Sequence, residues 1–239
     1  MVWFIIATLV AFFIKGLCGF ANTLIFNGIL GFTVNNINIS PLEVVLGYPS
    51  NLILVWKERK SLNWKIWFPL TILVVAGSIP GIFLLKHTDA GILKIIFGIA
   101  VIVIGIEMLC RELKPGKKSG GSKLVLGVIG LVSGLLCGLY GVGALLAAYV
   151  SRVTETSQEF KANICVVFFV ENTIRIILYA VTGIITVAIL KQVVILIPFM
   201  LAGVFLGMKS GNVLNEKLIK KIVIILLIIS GVVLIVNNL

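Results

Sequence analysis

Long apolar stretches separated by short polar ones run the whole length of the chain. Residues 1–32 are apolar except for Lys15, Asn22, Asn27 and two threonines. A polar loop is expected over 33–40, then an apolar segment over 42–56 that Pro49 kinks and Lys57-Glu58-Arg59-Lys60 closes. Segments 66–85 and 92–109 follow at ordinary spanning lengths. Residues 111–123, with Pro115, glycines and cations, form a linker. Beyond it the pattern resumes: apolar from 124 to 150, polar to 158, then apolar over 162–185, 193–208 and 218–236. Repeated apolar runs of this length predict an all-α polytopic membrane protein.

The second half repeats the first. A constant offset of 126 pairs Ala76 with Ala202, Gly77 with Gly203, Gly81 with Gly207, Lys94 with Lys220 and Gly105 with Gly231. Nearer the front the offset is 122, pairing Gly19 with Gly141 and Ser50-Asn51 with Asn172-Thr173. Glycines recurring at one offset point to duplication. The organisation expected is a first transmembrane repeat over 1–110, a basic cytoplasmic linker over 111–123 and a second repeat over 124–239.

The first segment of each half is too long to be one straight crossing. Residues 1–32 would extend about 48 Å at 1.5 Å per residue, more than the roughly 40–45 Å of a whole bilayer. Both overlong segments carry a glycine cluster, Gly16-Leu17-Cys18-Gly19-Phe20-Ala21-Asn22 and Gly134-Leu135-Leu136-Cys137-Gly138-Leu139-Tyr140-Gly141-Val142-Gly143. A break at each cluster turns the segment into a re-entrant hairpin with its tip near mid-membrane. Positive charge supports the hairpins. With both first segments re-entrant, one face collects fifteen cations and only Lys86, Lys94 and Lys191 lie opposite; with every segment crossing, the bias disappears. Three crossings per half then make the repeats inverted, put both termini outside and leave the linker in the cytoplasm.

Composition adds little to this picture and removes several alternatives. The chain is 60% hydrophobic with a mean hydropathy of +1.19, which leaves no room for a soluble domain. The N-terminus has neither a basic n-region nor a small-residue cleavage site, so the first segment reads as mature structure. The net charge of +11 fits loops on the positive face and anionic lipid rather than nucleic acid. Four cysteines without a CxxC pair and a single histidine predict no metal site and no cofactor. One aspartate, Asp89, excludes a two-aspartate protease. Gly116-Lys117-Lys118-Ser119 lacks the first glycine of a P-loop. No enzyme is expected.

The chemistry is expected at the two breaks. A helix that restarts at Phe20-Ala21-Asn22, or at Val142-Gly143-Ala144, presents unpaired N–H groups and the positive end of a dipole to an anion. Glycines there admit a ligand to the main chain, although close helix packing uses glycines in the same way. Lys15, Glu171 and Arg175 are the ionisable residues read inside apolar segments, and such residues are costly enough to suggest function. Glu171 and Arg175, four apart, either neutralise each other or serve separately in proton coupling and anion binding. The candidate substrate residues are Lys15, Gly19, Phe20, Asn22, Ser50, Asn51, Gly138, Gly141, Gly143, Asn172 and Arg175, with Glu171 for coupling.

These residues resemble the TauE/SafE family of sulfite exporters and related sulfonate permeases. The likeness rests on Gly16-Leu17-Cys18-Gly19-Phe20 and on Ser133-Gly134 followed by the glycine-rich turn through Gly143, and it extends to the duplicated halves and the basic linker. Ala21-Asn22 and Ala144 stand where that family carries glycines. The resemblance implies a secondary transporter of the plasma membrane for a small sulfur-containing anion, sulfite or an organosulfonate. Protons are the expected coupling ion, membrane lipid the surrounding partner, and an oligomer is compatible with the pattern. An anion channel and a non-transporting membrane scaffold are the alternatives.

Overall fold

The structure is a computed structural model that describes residues 1–30, 36–87, 123–140 and 143–213, with scattered positions between 95 and 110 and between 218 and 236. The described residues are helical apart from caps and turns. In chain order the helices are α1 (Val2–Cys18), α2 (Asn22–Leu30), α3 (Asn36–Glu58), α4 (Trp64–His87), α5 (Lys123–Tyr140), α6 (Ala144–Val153), α7 (Ser157–Val181) and α8 (Val187–Val213). A single 3₁₀ turn, Arg59–Ser61, links α3 to α4. Four stretches, Ile39–Ser61, Trp64–Gly81, Ser157–Val181 and Val187–Gly211, are long and apolar enough to cross a membrane.

Each overlong segment is broken at its glycines. The left-handed Gly19, φ 86°, ends α1, and its N–H bonds Lys15 O at 2.6 Å. Ala21 is also left-handed, at φ 71°, and α2 starts at the next residue. In the second half α5 stops at Tyr140 and Gly143 caps α6; Gly141 lies outside the described residues. With 9 and 10 residues, α2 and α6 reach only about 14–15 Å, half of a hydrocarbon core.

Two polar loops are shorter than the sequence suggests. Residues 36–40 are the first turn of α3, because Ser40 is not solvated: its hydroxyl is buried and holds Arg175. Similarly α7 begins at Ser157 and not after 158. Thr156 Oγ1 accepts the Glu159 N–H at 3.1 Å, and the Glu159 carboxylate accepts the Glu155 N–H at 2.9 Å, a cap at both ends of one short pattern. Pro49 lies within α3 and does not end it.

The halves interlock reciprocally. α1 packs on α8, and α5 packs on α4. A Cβ on Gly203 would lie 2.8 Å from Leu9 O and 3.0 Å from Phe13 N. Its counterpart at the offset of 126, Gly77, would collide with Leu131 O and come within 2.9 Å of Leu135 N. Leu131 and Leu135 are Leu9 and Phe13 displaced by 122, the other offset. Gly207 and Gly81 repeat the relation against the carbonyls of Phe13 and Leu135. These glycines let helix backbones touch, so dispersion and weak backbone contacts replace the hydrophobic effect that lipid cannot supply. Further along, a Cβ placed on Gly98 would lie 2.8 Å from the Gly231 carbonyl oxygen, and one on Gly231 would lie 2.8 Å from that of Gly98. α3 and α7, equivalents in the two halves, pack on each other and bring the first break toward the centre.

Candidate functional site

The break between α1 and α2 opens onto a small buried cavity. Lys15, Phe20, Asn22, Asn51, Asn172 and Gly143 line it, and so does Glu43. Its volume is about 20 Å³, room for one water and too little for an oxyanion of several heavy atoms.

Each wall has a local cause. Ile25 N is the first α2 amide with an intrahelical acceptor, Ala21 O at 3.1 Å, so the earlier N–H groups of α2 are left for other partners. Glu43 occupies that end. Asn22 Nδ2 donates to Glu43 Oε1, and the Thr23 hydroxyl bonds the same carboxylate. Gly47, one turn along α3 from Glu43, leaves the space in which the polar groups meet: a Cβ there would lie 3.3 Å from Glu43 Oε1, 3.5 Å from Asn172 Nδ2 and 3.7 Å from Asn22 Nδ2. Asn51, one turn further, is fully buried, and neither end of its amide has a hydrogen-bond partner. Lys15 comes from the last turn of α1, 1% exposed, with its Nζ 5.9 Å from the Phe12 ring centroid.

Arg175 is buried deeper along α7. Nη2 donates to Ser40 Oγ at 2.6 Å and Nε to Tyr179 OH at 3.2 Å, while the two hydroxyls lie 3.2 Å apart. Among the described residues no ion pair within 4 Å joins it to Glu171, although the two lie within electrostatic reach of each other. Glu171 is buried with Oε1 unpartnered.

The remaining candidates are spread around this centre. Gly19 faces Lys161, whose Cγ would lie 3.0 Å from a Cβ placed there. Cys165 Sγ donates to the Gly19 carbonyl at 3.2 Å, which helps hold the break. Ser50 gives its hydroxyl to Gly47 O at 2.6 Å and is satisfied within its own helix. Gly138 is turned to α4, with its Cα 3.2 Å from the position of a Gly81 Cβ; helix packing accounts for it. Gly143 is pressed by the Phe168 ring.

Glu43, Gly47, Ser40 and Tyr179 were absent from the expected set. Glu43 is a correction in substance, being a fourth ionisable residue buried inside an apolar segment besides Lys15, Glu171 and Arg175. Its signal was its place at the second position of the 42–56 segment, which reads as a helix end only while 33–40 is taken for a loop.

The comparisons with known proteins agree with this architecture. The family model described as "Sulfite exporter TauE/SafE" matches residues 4–234. A "Probable sulfite/organosulfonate exporter TauE" of Cupriavidus necator (strain ATCC 17699 / DSM 428 / KCTC 22496 / NCIMB 10442 / H16 / Stanier 337) is 24% identical over 155 residues, 63% of this chain. The matched stretch spans 59% of that relative's length. No solved structure matches the chain. The family match runs over nearly the whole length, on a fold with four described helices long and apolar enough to span a bilayer: the chain belongs to the TauE/SafE sulfite exporter family.

Proposed function

We propose that the protein is a secondary transporter of the plasma membrane that moves a small sulfur-containing oxyanion, sulfite or an organosulfonate, by alternating access between two inverted repeats. One observation carries the reading. The start of a half-length helix, a buried lysine and a buried asparagine amide with no partner among the described residues converge on one small cavity at a break in the backbone. Helix N–H groups and an ammonium suit a sulfur oxyanion through charge-assisted hydrogen bonds. The relative's printed name supplies the sulfur, and the geometry supplies the anion.

In this reading α1–α2 and α5–α6 are the re-entrant hairpins, both termini lie outside and residues 111–123 face the cytoplasm. The reciprocal contacts α1 to α8 and α5 to α4 suit two halves that rock against each other about a central site. Lys15, Asn22, Asn51 and Asn172 hold the anion, with Gly19, Phe20 and Gly143 shaping the approach and Arg175 adding positive potential from below. Protons are the coupling ion, carried by a buried carboxylate for which Glu171 was the candidate read from the sequence. A polar cavity beside the break counts against a scaffold with dry glycine clusters, and its small volume, with few polar groups elsewhere in the spans, counts against a continuous channel.

The test is uptake of labelled sulfite, sulfate and sulfoacetate into proteoliposomes, with and without a proton gradient. Saturable, gradient-dependent flux of a sulfur anion is expected. A fast unsaturable current would make the protein a channel, and no flux of any of the three would sink the transport reading.

A further inference from the structure

Counted at their ordinary charges, the four most deeply buried charged side chains near the cavity balance before any substrate arrives. Lys15 and Arg175 contribute two positive charges, Glu43 and Glu171 two negative ones, each residue at most 2% exposed. Lys161, at 8%, packs against Gly19 on the far side of the break, with Cys18 and then Glu58 as its electrostatic neighbours, and lines no part of the cavity. A monoanion entering this set leaves one unbalanced negative charge in a water-poor interior, which is expensive. Taking up one proton with the anion restores neutrality.

The geometry says which carboxylate takes it. Glu43 sits where an incoming anion would sit. Its Oε1 holds the Asn22 amide at the first residue of α2, and the Asn172 amide converges on the same spot over Gly47. Beside it, Asn51 offers an amide that bonds nothing. The charged or titratable groups in electrostatic reach of the Glu43 carboxylate are Lys15 on α1, Arg175 and Glu171 on α7, and Cys137 on α5; none is on α8, and α2 contributes the neutral Asn22 and Thr23. Glu171 lines no part of the cavity, so its protonation would free no hydrogen-bond donor for a ligand.

We propose that Glu43 is a tethered stand-in for the substrate: its carboxylate fills the anion seat at the start of α2 in the empty protein, and each substrate anion displaces it as Glu43 takes up one proton. The proton comes from the side on which the anion enters and settles on a Glu43 oxygen. The Asn22 amide and the Thr23 hydroxyl pass from the carboxylate to the substrate, the Asn172 amide turns to it as well, and Asn51 gains a partner. On release the proton leaves, and the carboxylate returns to the seat and keeps it closed. This rests on the transport reading above and names its coupling group as Glu43 in place of Glu171.

The experiment is counterflow of labelled sulfite in proteoliposomes at equal internal and external pH, from pH 6 to about 8, with wild type, Glu43→Gln and Glu171→Gln. Sulfite's own titration is common to the three proteins and cancels in their ratio. The half-saturating sulfite concentration of the wild type is expected to rise by up to about tenfold per pH unit relative to that of Glu43→Gln, the slope of one linked proton. Wild-type slope retained in Glu43→Gln, or a flat profile in Glu171→Gln instead, overturns the assignment while the transport reading stands. No counterflow in the wild type at any pH sinks both. Should Glu43→Gln not fold, Glu43→Asp and infrared difference spectra on adding sulfite decide the matter. A protonated-acid band whose frequency differs between wild type and Glu43→Asp supports the proposal, and a missing or identical band overturns it.

Discussion

Lys15 is the residue on which the site depends most directly. It is buried with no acid within salt-bridge distance among the described residues, and it borders the cavity. Lys15→Met keeps most of the volume and removes the charge. We expect about 10- to 100-fold weaker sulfite binding, the range of one lost charge-assisted hydrogen bond, with the helical circular dichroism unchanged; equal affinity would take Lys15 out of the site. Gly47 tests the meeting point of the polar groups. In Gly47→Ala the new methyl lies 3.3 Å from Glu43 Oε1, so transport should fall at least tenfold while thermal stability moves by only about 1 kcal/mol. A larger loss of stability than of transport would make Gly47 a packing residue. Lys15, Asn22, Asn51 and Asn172 were legible in the sequence because polar groups in long apolar runs stand out. Glu43 was hidden by a loop assignment, and Gly47 by being a glycine among many.

At the level of elements, the breaks were the most legible feature and the polar loops the least. An apolar run longer than a bilayer has to bend or break, and glycines say where; α2 and α6 start within two residues of the expected points. The loops over 33–40 and up to 158 were misread in part because a buried hydroxyl and a solvated one look alike in a sequence. Ser40 serves Arg175, and only the fold reveals that. The glycines also divide into two kinds that sequence alone does not separate. Gly19 is left-handed at a helix end, whereas Gly77, Gly81, Gly203 and Gly207 admit a neighbouring backbone. Gly207→Leu should therefore be severe, because its Cβ would collide with the Phe13 carbonyl, and overpacking of this sort costs about 1–3 kcal/mol or more. Gly28→Leu, at a position with open space around a Cβ, should be mild. Detergent-solubilised melting curves compare the two, and equal shifts would contradict the close-packed interface.

For the whole molecule, the duplication seen as two numerical offsets became two matched sets of backbone contacts. The handedness of the arrangement in the bilayer was reachable only through charge, and labelling can test it. With exposed Cys110 replaced, single cysteines at positions 36 and 120 should react with a membrane-impermeant thiol reagent from opposite sides. Reaction of both from one side would end the inverted arrangement. The interlocking also bears on how the chain is made. Of the described helices, α1 is made before the others and finds its partner in α8, which begins at Val187. Until then the glycine-lined contact between them does not exist, and the hairpin bearing Lys15 has no wall behind it. The anion seat thus gains its backing late in synthesis: a chain stopped before Val187 would carry every residue that lines the cavity and lack the helix that α1 packs against.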